Sequence, residues 1–161
     1  MSEEIKEFHE KAGAAAVKKA AFGDDIDLNK YRTSPPEAPA QIKPSEIPHE
    51  DRERVLATGV MLDDVSQRSG TFVQFDNRPL HRSVAQDGIE VMATSEALAK
   101  YGWLRDYLWK AVAVDADKYT AHVELNNADG YFIRALPGAK SVFPIQACLY
   151  LSKAHCASAR R

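Results

Sequence analysis

The chain has 161 residues, of which 45% are hydrophobic and 27% charged, the balance of a folded globular domain rather than of a disordered one. A formal net charge of -2 argues against partnership with nucleic acid or an anionic membrane through bulk charge. No run approaches the roughly 18 consecutive apolar residues of a membrane span.

Residues 2–22 read as a helix. Ser2 is placed to cap it, Glu3 and Glu4 suit its positive end, and Lys18 and Lys19 suit its negative end. Ile5, Phe8, Ala12, Ala15 and Ala16 make one apolar stripe, and Gly23 is placed to end the helix. The acidic opening MSEEIKEFHEK is not a signal peptide. Between Thr33 and Pro48 stand Pro35, Pro36, Pro39, Pro44 and Pro48, which predict an extended surface segment. A short helix is expected next, with Pro48 in its first turn and Gly59 at its end.

The period then changes. GTFVQFDN alternates Phe72, Gln74 and Asp76 against Thr71, Val73 and Phe75, and PLHRSVAQDGIEVMAT gives two more strands about an Asp-Gly turn. A small antiparallel meander over 70–92 is expected. SEALAKYGWLRDYLWKAV then predicts one helix over 95–112, capped by Thr94, with Ala97, Tyr101, Leu104, Leu108 and Ala111 on its buried face. Asp115 is placed to cap a shorter helix with Tyr119 and Val123 inward, and Gly130 opens the terminal strands. The fold class is α+β.

Chemistry is sparse. His155 and Cys156 are adjacent and Cys148 lies seven residues before Cys156, but no C-x-x-C or H-x-x-x-H spacing exists. His81, His122 and His155 are available as bases for Cys148, with no local signature joining them. The glycines form no phosphate-binding pattern. Trp103, Tyr107 and Trp109 read as packing before they read as a stacking surface. Asp63, Asp64, Asp87, Glu90, Asp115 and Asp117 read as caps and solvated faces. Two cysteines are too few for a disulfide framework, so a reduced, cytoplasmic protein is expected. No catalytic, cofactor-binding or metal-ligating residue is assigned.

Gly130-Tyr131-Phe132-Ile133, Pro137-Gly138 and Pro144-Ile145-Gln146, preceded in order by Tyr107-Leu108-Trp109-Lys110 and Asp117-Lys118-Tyr119, resemble the SufB/SufD family of iron–sulfur cluster assembly proteins. The likeness runs over about residues 54–153. It implies a non-catalytic scaffold: N-terminal helices, a β-helix core that begins near Gly130, and a C-terminal helical region. It also implies two partners, a SufC-type ATPase and a second SufB/SufD subunit.

The expected organisation is therefore a helix and proline-rich segment over 1–48, a helical and meander region over 49–129, the first β-helix strands over 130–153, and a tail over 154–161. Family members are much longer. The chain is thus expected to be an N-terminal fragment, by truncation or altered reading frame, without the sulfur- and iron-handling or ATPase-contacting regions, and with no cofactor of its own. The alternatives are a stand-alone interaction module and a small cysteine-dependent enzyme. In SVFPIQACLYLSK, Phe143, Ile145, Ala147, Leu149 and Leu151 alternate with Pro144, Gln146, Cys148, Tyr150 and Ser152. Pairing with YFIRAL across the Pro137-Gly138 turn would leave one edge open. Ile145, Ala147, Leu149 and Leu151 are the candidate self-association edge.

Overall fold

The computed structural model describes residues 3–31, 44–62, 66–75, 78–126 and 129–151. Helix α1 spans Glu3–Ala15 and is shorter than the expected 2–22. Beyond it the backbone is captured by a distant residue, the Asp117 carboxylate, which accepts from the Ala21 amide at 3.1 Å. Helical hydrogen bonding therefore stops early, and Gly23 lies in an irregular connection. The Ser2 cap and residues 32–43 of the proline segment fall outside the described residues. Helix α2, His49–Ala57, follows Pro48 and ends as expected before Gly59, which sits at φ +85.

Strands β1 (Gly70–Phe75) and β2 (Arg78–Val84) form the expected antiparallel hairpin, with a register shift between Val73 and Gln74. Strand β3 (Ile89–Ala93) does not continue a meander. It pairs antiparallel with β4 (Tyr131–Ala135), while β5 (Ile145–Tyr150) pairs parallel with β1. The sheets are thus β2-β1-β5 and β3-β4. The Asp87-Gly88 turn explains the departure. Gly88 takes φ +78, its carbonyl accepts from the Leu136 amide at 2.8 Å, and a Cβ there would meet Ala139 Cβ at 2.8 Å. This turn delivers β3 to the segment after β4 rather than back to β2.

The two sheets stack. Phe72 packs on Ile89 and Val91, joined by Ala139 and Ile145, and the Phe72 and Tyr131 rings lie 5.7 Å apart. At Gly70 a Cβ would stand 2.8 Å from Val91 Cγ2, so the absence of a side chain sets the spacing of the layers. The opposite face of β1 packs Val73 against Ile47, Val55 and Leu62, with Cys148 and Tyr150 of β5 at the margin. Residues 70–74 are consequently buried on both faces.

The expected helix over 95–112 is broken. Helix α3 covers Thr94–Lys100, Tyr101 is extended at φ -122 and ψ 93, and a 3-10 stretch runs Gly102–Tyr107. Gly102 weakens helix continuation by about 1 kcal/mol, and the Tyr101 side chain has a competing partner in Glu90. Thr94 lies inside the first turn rather than capping it. The cap comes from Asp129, which accepts from the Ser95 amide at 3.0 Å and its hydroxyl at 2.6 Å. Leu104 and Leu108 are half-buried instead of core residues, and Ala97 is the buried one.

Helix α4, Lys118–Leu125, is capped by Asp117, not Asp115. Asp117 accepts from the Tyr119 amide at 2.9 Å and the Thr120 amide at 3.0 Å, and Thr120 Oγ1 accepts from the Asp117 amide. Its buried residues are Ala121 and Glu124 rather than Tyr119 and Val123. Ala121 packs with Ala12 and Ala15 of α1 and with Val114, flanked by Phe8, Trp109 and Leu125.

Candidate functional site

The residues nominated for chemistry do not converge. Cys148 is half-buried on the α2-facing side of β5. His155, Cys156, Asp63, Asp64 and the His81 side chain fall outside the described residues. His122 lies on α4 within 3.2 Å of the Asn126 amide nitrogen, and burial lowers its pKa, favouring the neutral ring. Among the described residues, no three His, Cys, Asp or Glu side chains gather as a metal site requires.

The acidic residues that sequence reading took for caps and solvated faces divide. Glu90 is instead a polar knot on β3. It accepts from Lys100 Nζ at 2.8 Å and from the Tyr101 hydroxyl at 2.6 Å, with Arg134 at 3.9 Å. The Lys100 ammonium, then the Tyr101 hydroxyl, hold its carboxyl below the usual carboxylate range. The Arg134 guanidinium lies 5.0 Å over the Tyr101 ring and 5.6 Å over Trp103. Trp103 also meets Tyr107 edge-on at 5.8 Å, so the aromatic edge is a packed cluster tying β3, β4 and α3 together. Trp109 stands apart at φ +57, its indole donating to the buried Glu124 carboxylate at 2.9 Å. No local period announces these pairings, because each joins side chains from different elements.

Two surfaces remain. The first is an open apolar groove of about 520 Å³ lined by Leu98, Leu104, Leu108, Val112, Val123 and Phe132. The second is the outer flank of the stacked sheets. Ile145 turns inward to the Phe72 cluster. By alternation, Ala147 and Leu149 lie on the same inner face as Ile145, yet Leu149 is 37% exposed and Leu151, just beyond the strand, 43%. Tyr131 and Ile133 of β4 are also exposed. Among the described residues the layer between the sheets is thus filled at β1 and open at the flank of β5. Of the four residues nominated as an edge, three lie on this open flank and Ile145 lies at its root.

These features define a class: an α+β unit whose pronounced surfaces, among the described residues, are apolar and strand-edged. Comparison with known proteins supplies the lineage. No protein-family profile matches the chain. It is 43% identical over 152 residues to an iron–sulfur cluster assembly SufBD family protein of Methanothermobacter thermautotrophicus strain Delta H, covering 91% of this chain and 37% of that protein. A SufBD family protein of strain Winter of the same species is 41% identical with the same coverage. One from Archaeoglobus fulgidus is 44% identical over 103 residues, covering 64% of this chain and 28% of the relative. The chain belongs to the iron–sulfur cluster assembly SufBD family and spans little more than a third of the length of these relatives. No helix among the described residues is long and apolar enough to cross a membrane.

Proposed function

We propose that this chain is a non-catalytic scaffold segment of a SUF-type iron–sulfur cluster assembly system. The observation that carries the reading is identity of 41–43% with SufBD proteins across 91% of the chain. The parallel pairing of β1 with β5 and the open apolar flank fit a segment whose core is completed by further polypeptide. In this reading the chain contributes folded framework, and cluster handling lies in the length that the relatives carry beyond the match. A second SufB/SufD subunit and a SufC-type ATPase are the partners of the whole assembly, and the iron–sulfur cluster is its product rather than a resident cofactor of this chain.

A segment exchange tests this. The matching segment of a SufBD relative is replaced by this chain and expressed in cells lacking that relative. Recovery of iron–sulfur enzyme activity is expected. A stable, full-length chimera that restores none would overturn the scaffold reading. Separately, anaerobic reconstitution of the isolated chain is expected to yield no tightly held cluster. One stable cluster per monomer, lost on Cys148→Ser, would contradict it.

A further inference from the structure

The turn that follows the 3-10 stretch is built on a residue that does not suit it. The Lys110 amide donates to the Tyr107 carbonyl at 3.3 Å, which closes a turn over residues 107–110. Leu108 stands at φ -64 and ψ 131 and Trp109 at φ 57, the pattern of a type II turn. The third position of such a turn calls for glycine or asparagine, because a Cβ there crowds the following carbonyl. Trp109 is the one non-glycine residue at positive φ among the described residues. Its side chain has two holds. The indole Nε1 donates at 2.9 Å to Glu124, a buried residue of α4. The ring also packs on the alanine cluster that joins α1 to α4, and Trp109 lines the apolar groove as well.

We propose that residues 107–110 form a two-state latch, held by the Trp109–Glu124 hydrogen bond, that sets the wall of the apolar groove. The released state is a type I turn. Rotation of the Leu108–Trp109 peptide converts one turn into the other, and it returns residue 109 to negative φ. The same rotation redirects the Cβ of residue 109, so the indole cannot stay on Glu124. Release therefore exchanges the bond to Glu124 and the packing on the alanine cluster for relief of backbone strain. These contributions oppose each other, which brings the two states close in free energy. Leu104 and Leu108 precede Trp109, Val112 follows it, and all three line the groove, so the shape of the groove follows the latch. Whatever fills the groove and whatever loosens the α1–α4 contact then act on one residue, by favouring one of its two states. The proposal is independent of the cluster-assembly reading, which the segment exchange tests on its own.

Fluorescence and methyl NMR on the full chain test the latch. The chain has two tryptophans, so Trp103→Phe leaves Trp109 as the reporter. In that background Glu124→Leu removes the acceptor, and red-shifted emission with readier quenching by acrylamide is expected. Glu124→Gln keeps a side-chain oxygen that accepts, and its emission is expected to stay with the parent. In Glu124→Leu the methyl signals of Leu104, Leu108 and Val112 are expected to move, while those of Ile89 and Val91 in the sheet stack stay in place. Circular dichroism checks that each variant is folded. In the parent itself, relaxation dispersion at the Leu108 and Trp109 amides is expected to reveal a minor state. Its shift differences are expected to match the displacements that Glu124→Leu produces. A folded Glu124→Leu with the emission and methyl signals of the parent would overturn the proposal. So would Glu124→Gln releasing the indole as fully as Glu124→Leu. Should Glu124→Leu fail to fold, flat dispersion profiles at those two amides would overturn it.

Discussion

The stacked sheets and the α1–α4 pair hold together by different means. In the stack, Phe72, Ile89 and Val91 fill the space between layers and Gly70 sets the gap, so shape and apolar burial dominate. At the helical end the contact is alanine on alanine, Ala12 and Ala15 against Ala121. Each such residue buries little area; Val114, Phe8, Trp109 and Leu125 pack around them, and polar ties between distant parts of the chain accompany the contact. Asp117 holds Ala21, the Tyr119 hydroxyl accepts from the Ile26 amide at 2.9 Å, Lys118 pairs with Asp25 at 2.7 Å, and Lys18 donates to the Asp115 carbonyl. A chain can thus fasten one end by volume and the other by a few placed charges. The two kinds of fastening respond to different perturbations.

The largest contrast is volume loss. Phe72→Ala removes a fully buried ring from the stack and is expected to cost about 3–5 kcal/mol, read as a lowered urea midpoint at unchanged slope. An equally large loss from Phe8→Ala, at the margin of the helical cluster, would erase the distinction. Overpacking comes next. Gly70→Val places methyl groups against Val91 and is expected to cost about 1–3 kcal/mol, whereas Gly13→Ala on α1, with nothing within 4 Å of the added Cβ, is expected to be neutral or slightly stabilising.

Polar ties are tested at Asp117. Burial raises its pKa, but amides from Thr120, Ala21 and Tyr119 outweigh this and leave it below the ordinary value. A depressed carboxylate stabilises above its unfolded pKa, and that stabilisation is lost as pH falls through the folded value. Asp117→Ala is expected to cost about 1–2 kcal/mol near neutrality, with the penalty shrinking on acidification below the ordinary aspartate pKa of about 3.9. A penalty independent of pH would deny the charge its role. The smallest effect belongs to Gln74, fully buried with neither amide atom hydrogen-bonded among the described residues. Gln74→Met is expected to gain on the order of 1 kcal/mol, because an unpartnered buried amide destabilises; a loss would reveal a partner.

How far the sequence reaches follows the same divide. Strand periods over 70–92, the Asp87-Gly88 turn and α2 with its terminal Gly59 follow from local pattern, and the structure has them. The family was readable too, from ordered short motifs around Gly130, Pro137 and Pro144. What local pattern did not give is pairing. The alternation of β3 is identical whether it pairs with β2 or with β4, and only the exit direction at Gly88 decides. The helix over 95–112 satisfied its apolar spacing through Leu108, yet Gly102 and the pull of Glu90 on Tyr101 ended it. Asp129 capping Ser95 and Trp109 reaching Glu124 join residues that no window contains. At the candidate surface, alternation placed Ala147 and Leu149 on one face, but the parallel partner β1 was not foreseen.

That partner has a consequence in time. Thr71 and Gln146 sit side by side in the β1–β5 ladder yet are separated by 75 positions along the chain. At roughly 5–20 residues per second of synthesis, β1 emerges several seconds before the strand that completes its far side. During that interval the hairpin with β2 is the pairing within its reach, and the β5-facing edge of β1 stands uncovered. Newborn chains on neighbouring ribosomes share that exposure. The order of synthesis therefore leaves one side of β1 bare during growth, although residues 70–74 are buried in the finished fold.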